Sequence, residues 1–272
     1  MTTNQTNQTY QQPAPLTFTA DRLAGRVILV TGASSGIGAA AVRRFAAEGA
    51  LVAAAARRED RLTALAGDLK KEGQDVLPVR CDVTDERSVA AAVEETVRVF
   101  GRLDGAFNNA GVPGAGRRLH EVDTEHFDKV VATHLRGAFL SMKYEVPAML
   151  DHAGGGSIVL CSSTAGLAGG AYASDYSAAK FALTGLVKSA ALDYARDGIR
   201  VNAIAPGLTR SEMLDSWLTT EEARAEQASH FPINGIADPD DMARAALFLL
   251  SDESRWTTGT VLACDGGLTA GR

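Results

Sequence analysis

From Gly25 onward, short apolar runs rich in small and β-branched residues alternate with longer stretches of helical spacing. The runs are Val27–Val30, Leu51–Ala55, Val76–Arg80, Gly105–Asn108, Ser157–Cys161, Arg200–Ile204 and Thr260–Ala263. Between them, sets such as Val89, Val93, Thr96, Val97 and Phe181, Leu183, Leu186, Val187 recur at steps that share one helix face. Strands alternating with helices predict βαβ units with right-handed crossovers, in a parallel sheet covered on both faces. The expected fold is α/β, a doubly wound parallel sheet of seven strands in a single domain over residues 21–272.

Three intervals break the rhythm. Residues 1–20, MTTNQTNQTYQQPAPLTFTA, are rich in Asn, Gln and Thr without periodicity. They read as a disordered tail that buries too little apolar surface to offset ordering. Gly111–Arg118 is a Gly- and Pro-rich loop after the fourth strand, and Leu208–Ile236 is a long insertion after the sixth. Ligands of such sheets bind at the carboxyl ends of strands, so the insertion at 208–236 reads as a substrate lid. Val112, Leu167, Tyr172, Met213, Leu214 and Trp217 are the apolar pocket candidates. Arg117, Arg118 and Arg210 leave a charged substrate group open, against the plainer reading of solvated arginines.

Composition narrows the classes. Of 272 residues, 46% are hydrophobic, enough for a large core, and the formal net charge of -6 argues against a nucleic-acid surface. Cys81, Cys161 and Cys264 are sparse, odd in number and without a CxxC pair, which argues against a disulfide framework or a zinc site. No apolar run is long enough to cross a bilayer and no signal peptide is visible, so a cytoplasmic protein without a membrane partner is expected.

The first strand runs directly into Thr31-Gly32-Ala33-Ser34-Ser35-Gly36-Ile37-Gly38, and a helix pattern follows. A glycine-rich turn between a first strand and a helix start presents free N–H groups and a positive dipole end to a pyrophosphate. This makes the sheet Rossmann-type and places Gly32, Ser34, Ser35, Gly36, Ile37 and Gly38 at a dinucleotide. A GK[ST] step is absent, which excludes a triphosphate P-loop. At the end of the second strand, Ala56 stands where an acid would hold the ribose 2′-OH of NAD, and Arg57 and Arg58 follow. Arginine there suits the 2′-phosphate of NADP, with NAD as the alternative.

Tyr176 and Lys180 stand four apart and share a face if their segment is helical. A cation about 4 Å from a phenolate stabilises it by roughly 4 kcal/mol at an effective dielectric near 20. At about 1.36 kcal/mol per pKa unit, that lowers the phenol toward working pH. A lone YxxxK is weak, because tyrosine and lysine share many helix faces by chance.

The motifs together carry a resemblance. TGASSGIG at 31–38, CDV at 81–83, NNAG at 108–111, SS at 162–163, YSAAK at 176–180, NAIAPG at 202–207 and DGG at 265–267 occur in order. The chain resembles the compact single-domain branch of the short-chain dehydrogenase/reductase family from about Leu23 to Leu268. That resemblance implies hydride transfer between a nicotinamide cofactor and a ketone or secondary alcohol. It implies Ser163, Tyr176 and Lys180 as the catalytic set, with Tyr176 and Lys180 also on the ribose. Asp82 and Val83 would lie along the adenine. Asn109, Ala110 and Gly111, with Asn108, would support the cofactor and central strands. Pro206, Gly207, Leu208 and Ser211 would lie near the nicotinamide. Tyr172 is excluded as the acid, because Tyr and not Lys stands four residues on.

One position departs. The family usually has asparagine where this chain has His134, in a helix whose distortion exposes a carbonyl to a water linked to the lysine. The histidine reads either as a proton shuttle or as a packed, hydrogen-bonded ring, and the distortion itself is put in question. The resemblance further implies a homotetramer. Rival classes are an NAD-dependent alcohol dehydrogenase running oxidatively, a dinucleotide sensor without catalysis, and an epimerase or dehydratase on the same scaffold.

Overall fold

The computed structural model describes residues 21–233 and 235–271, and the tail expected at residues 1–20 lies outside them. Seven strands form one sheet: β1 (Val27–Thr31), β2 (Leu51–Ala56), β3 (Val76–Arg80), β4 (Gly105–Asn108), β5 (Gly156–Cys161), β6 (Ile199–Pro206) and β7 (Val261–Cys264). Their spatial order is β3-β2-β1-β4-β5-β6-β7 and every pairing is parallel. The order reverses between β1 and β4, so the crevice outside their carboxyl ends is where a ligand belongs.

Nine α-helices are described: α1 (Gly36–Ala47), α2 (Glu59–Lys71), α3 (Glu86–Phe100), α4 (Thr124–Val131), α5 (Gly137–His152), α6 (Ser174–Tyr194), α7 (Glu212–Trp217), α8 (Glu221–Ser229) and α9 (Pro239–Leu250). The two-residue period of the strands divides the core. Val27, Leu29, Ala53 and Ala55 face one apolar cluster with residues of α3, α5 and α6. Ile28, Val30, Val52 and Ala54 face the other, with residues of α1, α2 and α9. None of the helices among the described residues is long and apolar enough to cross a membrane.

The strand runs read from sequence lie within a residue or two of these bounds. At β7 the shift has a visible cause. The Thr260 N–H donates to the Asn202 side-chain Oδ1 at 3.1 Å rather than to a strand carbonyl, while its carbonyl accepts from the Ala203 N–H at 2.9 Å, and the strand starts at Val261. The 208–236 insertion folds over a small cluster of its own, Leu208, Leu214, Leu218 and Ala228. Ser211 caps α7 by accepting from the Leu214 N–H at 3.1 Å.

Candidate active site

The turn after β1 is shaped by close approach. A Cβ on Gly38 would lie 2.2 Å from the Gly32 carbonyl oxygen, so no side chain fits there. Gly36 has φ +52° and a Cβ on it would stand 3.2 Å from Ser211 Cβ, so the start of the insertion lies against the turn. No side chain caps α1, and its first turn holds no acid. That open helix start is the structural fit for a pyrophosphate.

The NNAG turn is fastened to this one. The Asn109 and Ala110 N–H groups donate to Thr31 Oγ1 at 3.1 and 3.3 Å. The Asn109 amide donates to the carbonyls of Thr31 and Gly32 at 3.3 and 3.4 Å. Asn109 thus holds the glycine turn in shape. Asn108 donates from Nδ2 to Glu145 Oε2 of α5 at 2.9 Å, tying the central strand to that helix. Asp82 accepts from the Thr84 N–H and hydroxyl at 3.0 and 2.8 Å. Burial alone would raise its carboxyl, but these bonds and the nearby Arg57 hold it below the ordinary value. Val83 beside it is buried.

At the β2 end, Arg57 is exposed and makes no side-chain hydrogen bond or ion pair among the described residues. Arg58 turns over the glycine loop, donating from Nε and Nη2 to Ser34 Oγ at 3.1 and 2.9 Å and from Nη2 to Ser35 Oγ at 2.8 Å.

Tyr176 and Lys180 fall on the first turns of α6. The Lys180 ammonium lies 5.4 Å from the Tyr176 ring centroid and donates to the Cys161 carbonyl at 2.7 Å. Ser163, just past β5, lies near enough to the Tyr176 phenol to lower it against burial. Its Oγ accepts from the Ala165 N–H at 3.1 Å. The three side chains expected from sequence therefore meet in one place, beside the NNAG turn.

The electrostatics differ from the expectation. Lys180 was to lower the phenol. Instead burial pushes Tyr176 above its ordinary value, with the nearby Ser163 hydroxyl working against it. The same burial pushes Lys180 down to about 8, with the nearby Cys161 raising it. Lys180 is buried and Tyr176 half-buried, and desolvation of the charged form is the largest cause of each shift.

The helical distortion at position 134 is present. Ala132–Arg136 form a π-helical turn between α4 and α5. His134 is 3% exposed, stands edge-on to Tyr176 with ring centroids 5.2 Å apart, and places Nε2 2.8 Å from the Val112 carbonyl oxygen. Burial and the nearby Lys180 push its imidazolium down to about 3, with the Val112 bond working against them. Burial thus favours the neutral ring, and its contacts with Val112 let it position the 111–118 loop as a packed histidine. His134→Asn is expected to leave the pH profile of kcat unchanged between pH 6 and 9. A lost limb in that range, read from initial rates, would restore the shuttle.

A cavity of about 10 Å³ lies between Asn108, Thr133, His134, Ser141, Cys161 and Lys180, room for about one water. Two residues that sequence reasoning passed over matter here. Asp175, 1% exposed, accepts from the Ala115 N–H at 2.8 Å and pins the 111–118 loop to the helix start beside Tyr176. Glu145 is fully buried behind Asn108. Neither belongs to a motif, so only burial reveals them.

Of the pocket candidates, Val112, Leu167 and Met213 are half-buried. Leu214 points instead into the insertion's own core. Tyr172 and Trp217 are largely exposed, and Tyr172 has φ +62°. Arg117 and Arg210 are exposed beside Asp123 and Asp238.

Comparison with known proteins agrees with this geometry. The family model described as enoyl-(acyl carrier protein) reductase matches residues 32–269. An A-factor type gamma-butyrolactone 1′-reductase (1S-forming) of Streptomyces virginiae is 46% identical over 250 residues, 91% of this chain and 96% of that protein. Cyclohexanol dehydrogenase of Acinetobacter sp. is 36% identical, over 92% of this chain and 98% of that one. The crystal structure of levodione reductase superposes with a TM-score of 0.89 at 35% identity, covering 92% of this chain and all of that one.

Sheet, glycine turn and relatives define a nicotinamide-dependent oxidoreductase that acts between CH–OH and carbonyl groups of small molecules. The chain belongs to the short-chain dehydrogenase/reductase family.

Proposed function

We propose that the protein transfers a hydride between NADP(H) and an apolar, cyclic ketone or secondary alcohol, with Ser163, Tyr176 and Lys180 as the catalytic residues. The observation that carries the reading is the meeting of the half-buried Ser163 hydroxyl and Tyr176 phenol with the buried Lys180 ammonium, next to the open start of α1. A bound nicotinamide supplies or accepts the hydride. Tyr176, kept protonated by burial, holds the proton for the oxygen that becomes the alcohol. Ser163 donates to that same oxygen where negative charge develops. Lys180, fixed by the Cys161 carbonyl, places its remaining N–H donors toward the phenol and the ribose side of the site.

Gly32, Ser34, Ser35, Gly36, Ile37 and Gly38 would hold the pyrophosphate, and Asp82 with Val83 the adenine. Ala110 and Gly111 would flank the nicotinamide ribose, and Pro206, Gly207, Leu208 and Ser211 the nicotinamide itself. NADP(H) is favoured over NAD(H) by Ala56 in place of an acid and by the unengaged Arg57. The half-buried Val112, Leu167 and Met213 favour an apolar substrate, and the relatives' names include a cyclohexanol and a lactone. The exposed Phe139 of α5 and Phe181 and Leu192 of α6 favour pairing with further copies into a homotetramer. A cytoplasmic location remains the reading of the sequence.

The deciding experiment is a panel of cyclic and linear ketones and alcohols followed by nicotinamide absorbance with both cofactors. Turnover of a cyclic ketone with NADPH supports the proposal, and no turnover of any panel member with either cofactor removes it. Arg57→Ala is expected to raise KM for NADPH about tenfold or more while KM for NADH stays within twofold, the size of one lost charge-assisted phosphate contact. NADH as the better cofactor of the parent protein would reverse the cofactor assignment.

A further inference from the structure

Glu212, the first residue of α7, reaches back across the mouth of the glycine turn. Its Oε2 accepts from Arg58 Nη1 at 2.8 Å, and its Oε1 accepts from Arg61 Nη1. The two bonds join the insertion after β6 to the segment after β2. Guanidinium bonds from both arginines hold the Glu212 carboxyl down at about 2, so it is ionised throughout the working range.

Arg58 is therefore a committed cation. Three of its N–H contacts go to the Ser34 and Ser35 hydroxyls and one to Glu212. Arg57, next to it, has no such partner among the described residues. A phosphate monoester arriving at the end of β2 meets one open guanidinium, one already bound to a carboxylate, and that carboxylate itself, a like charge.

We propose that Glu212 is a specificity-determining residue that restrains the preference for the 2′-phosphate, by occupying Arg58 and Arg61 and by opposing the phosphate charge. It rests on the NADP(H) reading above, because only the 2′-phosphate distinguishes the two cofactors at this end. Binding of the phosphorylated cofactor draws Arg58 from Glu212 toward the phosphate. Loss of that bond leaves Glu212 held on the β2 side by Arg61 alone.

The effect is bounded by the value of partly exposed ion pairs. Each is worth about 0.3–1 kcal/mol where ordered, so removing the carboxylate is expected to tighten binding of a 2′-phosphate about 1.5- to fivefold. The test titrates wild type, Glu212→Gln and Glu212→Ala with NADPH, NADH, 2′,5′-ADP and 5′-AMP, followed by calorimetry. Using two variants keeps the test open if one folds poorly. The expected result is tighter NADPH and 2′,5′-ADP with NADH and 5′-AMP unchanged, the difference shrinking at high salt. Equal changes for phosphorylated and unphosphorylated ligands, or none, overturn the proposal and leave Glu212 a strap on α7 alone. If the parent binds NADH more tightly than NADPH, the NADP(H) reading fails separately. The Glu212 proposal then still requires the variants to move NADPH and not NADH.

Discussion

Tyr176→Phe is expected to lose all but about a thousandth of kcat while binding the cofactor within twofold of wild type. The substitution deletes one oxygen and keeps the ring, which packs edge-on to His134 and beside Lys180. What is lost is the phenol hydroxyl that lies beside Ser163 in this site. A positioned acid or base contributes typically 10²–10⁴ in rate, and no other group here replaces it. Lys180 is anchored on the Cys161 carbonyl, and His134 is neutral with Nε2 on Val112. Ser163 can still polarise the substrate oxygen, so a small residual rate is expected. The measurement is kcat by nicotinamide absorbance beside a cofactor titration followed by protein fluorescence. A variant that turns over at more than a tenth of the parent rate would take Tyr176 out of the mechanism.

The direction of the Tyr176 shift gives this prediction a polarity. A phenol pushed up by burial is protonated at neutral pH, the form that donates to a carbonyl being reduced. The reverse reaction needs the phenolate, which the site by itself disfavours.

The sheet was legible in the sequence because its signals are local. Seven apolar runs with a two-residue period and a glycine turn need only their neighbours to be recognised, and β1 to β7 lie within a residue or two of them. Tyr176 and Lys180 were legible as a pair through their spacing on one helix face, and Ser163 only through the family resemblance. What escaped depends on contacts far apart in the chain. Glu145 reads as a surface charge until α5 is laid against Asn108, 37 residues earlier. Glu212 reads as an ordinary helix-start acid until Arg58, 154 residues earlier, is found beside it. Leu214 was placed at the substrate because its loop leaves a strand end, but the small core of the insertion claimed it. The sign of the tyrosine shift was missed because spacing reveals the lysine and not the burial that acts on both.

Glu145→Gln is expected to make the protein more stable at pH 8 by about 4 kcal/mol relative to wild type, and to change little at pH 4. Glu145 is fully buried with one donor, the Asn108 amide, and burial raises its carboxyl to about 8 against that bond. Its Oε1 and the Asn108 Oδ1 are both buried acceptors without a partner. A proton on the carboxyl, or the NH₂ of glutamine, supplies the missing donor. Because the folded value lies above the unfolded one of 4.5, the native state keeps a proton that the unfolded chain releases. Stability contributed by this group is then fully present below about pH 4.5 and is lost as pH rises to about 8. At about 1.36 kcal/mol per unit the loss amounts to several kcal/mol. The nearby Cys81 thiol, raised to about 12 by burial, stays neutral over that range and does not mask the effect. Denaturant unfolding of both proteins from pH 4 to 8.5 measures it directly. Parallel curves for the two proteins would mean that Glu145 is ionised in the fold, and the Asn108 pair would then hold a buried charge rather than a buried proton.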